Sequence, residues 1–242
     1  MKKERYSSRS IWSTLLTDIR SGRYKDVDKL PPETVLAPEL GISRTQLRDG
    51  LAILEQDGFI TRRRGIGTVI NRQVINVKTR IDLADEFKPM LEQAGYRPDM
   101  ILLSADIITN NPDITKKLEV SPNTPVLALT KVITADERPA IFCVDHIAFS
   151  KIKNIDYTYE DLALPVFLFL ERFCETDIVI NMAELSPIVA DEYLSKMLQI
   201  QEGDPVLQLD NQAFDIDNNL IMYSRESYAD GFFSHTVLRK QI

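Results

Sequence analysis

Residues 43–70 read SRTQLRDGLAILEQDGFITRRRGIGTVI, and this stretch decides what the front of the chain is. Ser43 followed three residues later by Gln46 has the form of a capping box, in which the two side chains satisfy the free amides of a helix start. Leu47, Leu51 and Leu54 then recur at helical spacing and should be buried. That stripe sends Thr45 and Asp49 outward and leaves Arg44 and Arg48 on a flank near the first turn, where arginines can reach guanine edges or phosphates in a major groove. Residues 59–64 and 68–71 read as two short strands around Gly65-Ile66-Gly67, whose glycines permit a tight turn or a close approach to a phosphate backbone. Arg62, Arg63 and Arg64 run into this hairpin, and strand alternation lets at most two of them face DNA.

Working outward, Ile11, Leu15 and Ile19 lie four apart, with Trp12 and Leu16 widening the stripe and Gly22 suited to end a first helix. KLPPETVLAPELG, residues 29–41, reads as a second helix closed by Gly41, with Pro38 expected to kink or delay it. An isolated exposed arginine pair is ordinarily just a solvated surface. Three helices followed by a basic, glycine-tipped hairpin form a co-ordinated pattern and predict DNA binding. The predicted contacts are Ser43, Arg44, Thr45, Gln46, Arg48, Arg62, Arg64, Gly65, Gly67 and Thr68.

The charge distribution agrees. Residues 1–78 hold 15 Lys+Arg against 9 Asp+Glu, and the rest 14 against 27, within a total of -7. A basic front can meet phosphate while the acidic remainder repels it. At 242 residues, 44% hydrophobic, the chain has enough material for two domains. Cys143 and Cys174, both in apolar surroundings, fit buried thiols in a reducing compartment. No secretory signal or long apolar span is visible, which predicts a cytoplasmic protein with no membrane partner.

Residues 73–81 (QVINVKTR and the next residue) read as a linker, and DLADEFKPMLEQAG, 82–95, as a helix ended by Gly95. Beyond it KLEVSPNTPVLAL, 117–129, is echoed 80 residues later by MLQIQEGDPVLQL, 197–209. The echo continues into TADERPAIF and DIDNNLIMY, so each half is helix, strand, turn, strand. Two such halves can share an antiparallel sheet about a pseudo-twofold, with room for a ligand between them. Asp145 and Arg225, 80 residues apart, would then face each other across the axis and bind a neutral or zwitterionic ligand, or form a plain structural ion pair. His146 reads as a sheet residue, and LPVFLFLERFC, 164–174, as core.

Residues 8–72 resemble the winged helix-turn-helix of the GntR family, whose L-P-S-E-R-x-L-A through G-x-G-T-x-V pattern runs along residues 30–70 with its spacing preserved. The resemblance implies that Arg44, Thr45 and Arg48 meet the major groove and phosphates and that Gly67 is a wing tip in the minor groove. Thr34 stands where relatives carry a further arginine, and Pro32 replaces a serine. Residues 82–240 resemble the UTRA sensor of the HutC subfamily, an α+β fold like that of chorismate lyase, on VADEYLSKMLQIQEGDPVL, IMYSRESY and Arg138-Pro139. This implies a homodimer, a small-molecule effector and altered affinity for a palindromic operator as output, most simply as a repressor. Carried over residue by residue, the effector pocket falls on Glu86, Lys131, Ser186 and Tyr228, to which the echo adds Asp145 and Arg225. Lys131 and Ile133 replace an Arg-x-Arg pair and Cys143 a glutamate, so the effector is not expected to be a simple phosphosugar.

The predicted organisation is thus 1–72 for DNA, 73–81 as linker and 82–242 for effector and dimer. Two other functional classes compete with this one. A lyase-like enzyme lacks any metal-ligand cluster or a nucleophile with a matched base, and no cofactor is expected. A constitutive DNA binder would use the second domain only to dimerise.

Overall fold

The computed structural model describes residues 8–83, 87–232 and 234–240. They form two compact units, one holding the chain up to Leu83 together with the tail from His235, the other running from Ala84 to Ser234.

In the first unit α1 (Ser8–Arg20), α2 (Glu33–Glu39) and α3 (Arg44–Gln56) precede the hairpin of β1 (Ile60–Arg63) and β2 (Gly67–Ile70), and α4 (Arg72–Ile75) follows. The capping box forms as read, with the Gln46 amide donating to Ser43 Oγ at 3.2 Å and the Ser43 amide to Gln46 Oε1 at 3.0 Å. Leu15, Ile19, Leu36, Leu47, Leu51, Leu54 and Phe59 are fully buried in one cluster. Gly50 makes that cluster tight, since a Cβ there would sit 2.5 Å from Ile11 Cγ2 where α1 meets α3. Helix α1 ends at Arg20, and Gly22 stands just past that end, its amide donating to Thr17 O at 3.2 Å and its missing Cβ leaving room for Asp18 Oδ1. Two local readings change. Pro38 falls in the last turn of α2, where the helix is already ending, so it delays nothing. Lys29 and Leu30, read as the start of the second helix, lie outside it, and residues 28–30 instead add to the hairpin through Leu30 N to Thr68 O and Ile70 N to Asp28 O. The expected linker is also more structured than supposed, because α4 fills its start.

The second unit is a six-stranded antiparallel sheet flanked by short helices. In chain order it contains α5 (Phe87–Ala94), β3 (Pro98–Ile108), α6 (Pro112–Lys117), β4 (Val126–Ala135), β5 (Arg138–Ala148), α7 (Tyr159–Leu162), α8 (Val166–Phe169), β6 (Ile180–Val189), α9 (Glu192–Leu198), β7 (Pro205–Phe214) and β8 (Leu220–Ala229). Strand order β3-β4-β5-β8-β7-β6 reads as two matching halves joined at β5 and β8, the arrangement expected from the internal echo. Strands β3 and β6, each preceding the helix of its half, escaped the sequence reading. Residues 164–174 are core as expected: α8 continues into a π-helical turn, and Val166, Phe169, Leu170, Phe173 and Cys174 bury themselves on Leu127, Leu129, Ile147 and Met222 of one sheet face. Helices α6 and α9 cover parts of the other face, where Leu118 meets Tyr223 and Tyr193 meets Phe142 edge-on.

Candidate functional site

The chain presents two sites, one in each unit. On α3, Ser43, Arg44, Thr45 and Arg48 are exposed while Leu47 and Leu51 are buried, so the first turns offer an outward polar row on a rigid base. Glu33 of α2 holds both arginines: its Oε2 lies 2.7 Å from Arg48 Nε and 3.7 Å from Arg44 Nη2. An exposed pairing of this kind is worth about 0–1 kcal/mol, little enough for a phosphate to displace it. In the hairpin, Arg63, Arg64, Gly65, Ile66 and Gly67 are exposed and Thr68 half-buried. Gly67 has φ +99°, a conformation that a side chain at the tip would resist. Arg62 is drawn away from the tip, its Nε 2.7 Å from Glu55 Oε2 on α3 and its amide donating to Glu55 Oε1. Partial burial pushes the Glu55 carboxyl up, but these bonds and the positive charge outweigh it and hold it below its ordinary range.

The second site lies on the sheet face that also carries α8. Cross-strand pairing sets three rows there: Leu102-Lys131-Cys143-Glu226-Leu209, Ala105-Leu129-Asp145-Ser224-Asn211, and Met100-Ile133-Ile141-Tyr228-Leu207. Polar groups therefore cluster at the centre of a face that is otherwise apolar. Lys131, only 1% exposed, donates to the Leu164 carbonyl at 2.9 Å and sits 3.5 Å from Asp145, itself 2% exposed. Cys143 Sγ donates to Asp145 Oδ1 at 3.2 Å, and Tyr228 Oη to Glu226 Oε2 at 2.5 Å. Burial, then the charges of Asp145 and Glu226, push the Cys143 thiol well above its usual value, and burial and Glu226 do the same to Tyr228. Beside this cluster a pocket of about 430 Å³ is lined by Phe87, Lys88, Pro89, Pro98, Asp99, Met100, Ile133 and Pro165.

The predicted effector residues divide. Lys131, Asp145 and Tyr228 share the clustered face. Ser186 pairs with Gln208 and Arg225 with Val144, which places both on the opposite face. There Arg225 Nε binds Asp210 Oδ1 at 2.9 Å, and Tyr223 Oη donates to the same oxygen. Asp145 and Arg225 therefore do not face each other. The cause is one residue: Thr134 pairs with Pro139 in the first hairpin but Phe214 with Leu220 in the second, so past the turn the repeat offset becomes 81. A slip of one residue turns a strand over, and the counterpart of Asp145 is Glu226. Glu86 lies outside the described residues. His146 is a sheet residue as read, stacked on Tyr223, and its Nδ1 finds no partner among the described residues.

Residues 8–70 match the gntR family of bacterial regulatory proteins, and residues 93–231, more than half of the chain, match the UTRA domain. The chain belongs to the GntR family of regulators and carries a UTRA domain. It is similar to the uncharacterized HTH-type transcriptional regulator YurK of Bacillus subtilis, 27% identical over 90% of this chain and 87% of that one. It is also similar to the probable fructoselysine utilization operon transcriptional repressor of Escherichia coli K12, 26% identical over 88% and 87%. The crystal structure of the possible transcriptional regulator YydK from Bacillus subtilis has the same fold, with a TM-score of 0.76 at 17% identity over 96% of this chain and 99% of that one.

These matches make this GntR protein a transcription regulator and not an enzyme. Among the described residues no group of three His, Cys, Asp or Glu is placed to hold a metal ion, and no helix is long and apolar enough to cross a membrane. Sequence reasoning missed Glu33 as the partner of both Arg44 and Arg48, and Glu226 as the acid beside Tyr228. Glu33 carried no signal in a single sequence beyond standing in the first turn of its helix. Glu226 would have been found by counting the longer second turn. Arg72 was missed as well: its guanidinium donates to the Ile19 carbonyl at 3.2 Å, the Tyr24 carbonyl at 2.5 Å and that of Val27, tying the loop after α1 to the end of the hairpin.

Proposed function

We propose that this regulator is a cytoplasmic, effector-responsive repressor that binds a palindromic operator as a homodimer. The observation that carries the reading is the outward row of Arg44, Thr45 and Arg48 on the first turns of α3, backed by a buried leucine stripe and followed by a hairpin with exposed Arg63, Arg64 and Gly67. Ser43 and Gln46 shape that helix start, and Thr68 and Gly65 shape the wing. Arg62 acts by bracing the wing on Glu55. The repressor names of relatives support the sign of regulation.

The effector is read as a neutral or zwitterionic metabolite. Lys131 is already neutralised by Asp145 and held by the Leu164 carbonyl, and Ile133 is apolar, so the cationic fork that suits a phosphate is missing. One residue of each sign, Lys88 and Asp99, stands among the otherwise apolar lining of the pocket. Strand β6, an edge of the sheet with exposed Ile180, Met182, Leu185 and Val189, supports pairing with a second copy.

Two measurements test this. Operator affinity should fall steeply with salt, and Arg44→Ala and Arg48→Ala should weaken it; salt-insensitive binding refutes the DNA reading. In a thermal-shift screen neutral or zwitterionic metabolites should raise the melting temperature more than phosphorylated sugars do. A screen without any hit favours a constitutive binder.

A further inference from the structure

The last four carbonyls of a helix have no partner within it and must find donors elsewhere. At the end of α3, Phe59 N donates to Leu54 O at 2.9 Å and Gly58 N to Glu55 O at 3.0 Å, with Gly58 at φ +79°. These local bonds leave the Gln56, Asp57 and Gly58 carbonyls. Asn71 Nδ2 reaches Gly58 O at 2.7 Å and Arg80 Nη1 reaches Asp57 O. The remaining donor comes from the far end of the chain: Lys240 Nζ donates to Glu55 O and Gln56 O, both at 2.6 Å.

The tail is fixed before it arrives there. Thr236 N donates to Thr79 O at 3.1 Å and Ile81 N to Thr236 O at 3.0 Å, a parallel bridge to the segment that leaves α4. Leu238 then packs so closely on Gly58 that an added Cβ would meet its Cδ2 at 2.3 Å. Gly58 is the turn between α3 and β1, and Glu55, whose carbonyl Lys240 holds, braces Arg62 of the wing with its carboxylate. The tail thus touches the point where the angle between helix and wing is set. Its cation also suits the negative end of the helix dipole.

We propose that the C-terminal tail, through Lys240 and Leu238, is a positioning element for DNA reading that holds α3 and the wing in one relative setting. It rests on α3 being the helix that meets DNA. The test uses the full-length chain and a duplex that it selects from a random pool, with Lys240→Ala, Lys240→Arg, Leu238→Ser, a chain stopped after His235, and Arg48→Ala as control. Lys240→Ala should lose about 3- to 10-fold in affinity for the selected duplex, the size of a lost charge-assisted cap. Affinity for random duplex and the salt slope should not change, and Lys240→Arg should restore binding.

A loss shared by selected and random duplexes with a shallower salt slope would make Lys240 a phosphate contact and overturn the proposal. So would unchanged binding in Lys240→Ala and Leu238→Ser, which decide the matter if the shortened chain does not fold. If Arg48→Ala also leaves binding intact, it is the reading of α3 that has failed.

Discussion

Replacing Lys131 by methionine leaves Asp145 without its cation in a face where its only remaining described donor is the Cys143 thiol at 3.2 Å. Both partners of the pair are nearly inaccessible, with side-chain exposures of 2% and 3%, so water cannot take over the lost role. Breaking a buried pair from one side costs about 3–5 kcal/mol, because a charge is left without compensation. For a unit of this size that corresponds to a fall of about 6–20 °C in melting temperature. Removing both charges, as in Lys131→Met with Asp145→Leu, should return stability to within about 1–2 kcal/mol of the parent, since an apolar pair of similar volume suits this environment. Urea and thermal unfolding followed by circular dichroism measure the change. Trp12, the chain's single tryptophan, reports separately on the first unit and should be unmoved. A cost under about 1 kcal/mol for Lys131→Met, or a double substitution as damaging as the two single ones added together, refutes a stabilising buried pair.

Further outcomes follow from the same geometry. Removing Glu33 as Glu33→Gln frees Arg48 and Arg44, so affinity for random duplex should rise, while Arg48→Ala should lower the salt slope by about 0.9 if its contact is a phosphate; fluorescence anisotropy over a salt series checks both. The Cys143 and Tyr228 groups have pKa values raised in the fold from ordinary values of 9.0 and 10.0, so the stability they contribute is fully present below about pH 9 and is lost as pH rises beyond it. His146, lowered from 6.5 mainly by burial, contributes stability that is present above that pH and lost as pH falls. Unfolding of the second unit measured across pH should therefore show a plateau from about 6.5 to 9, and a maximum outside that window would contradict the assignment. Met182→Arg on the exposed edge of β6 should shift the chain towards monomer in sedimentation velocity without moving its melting temperature by more than a few degrees.

The first unit was legible because its signals are local. A capping box, a leucine stripe and a glycine-tipped hairpin each act within a few residues, and Ser43, Leu47 and Gly67 do what their spacing says. The sheet of the second unit was legible through its repeat, but the facing of β8 was not. Side-chain direction in a strand depends on the parity of every turn before it, and one additional residue between Phe214 and Leu220 moved Arg225 to the opposite face from Asp145. Strands β3 and β6 escaped because their half-buried and exposed positions alternate in the fold but their residue types do not: Met100, Ile101, Leu102 and Leu103 run apolar on both faces of β3, and Pro187, Ile188 and Val189 do so in β6. Long-range donors such as Arg72 and Lys240 leave no trace in a local pattern at all.

The bond from Lys240 to the Glu55 carbonyl spans 185 residues of sequence. A ribosome must therefore have carried synthesis as far as residue 240 before the first unit can close the hydrogen bonds that cap α3. A nascent chain shorter than that carries α3 with its Gln56 carbonyl still without the Lys240 ammonium.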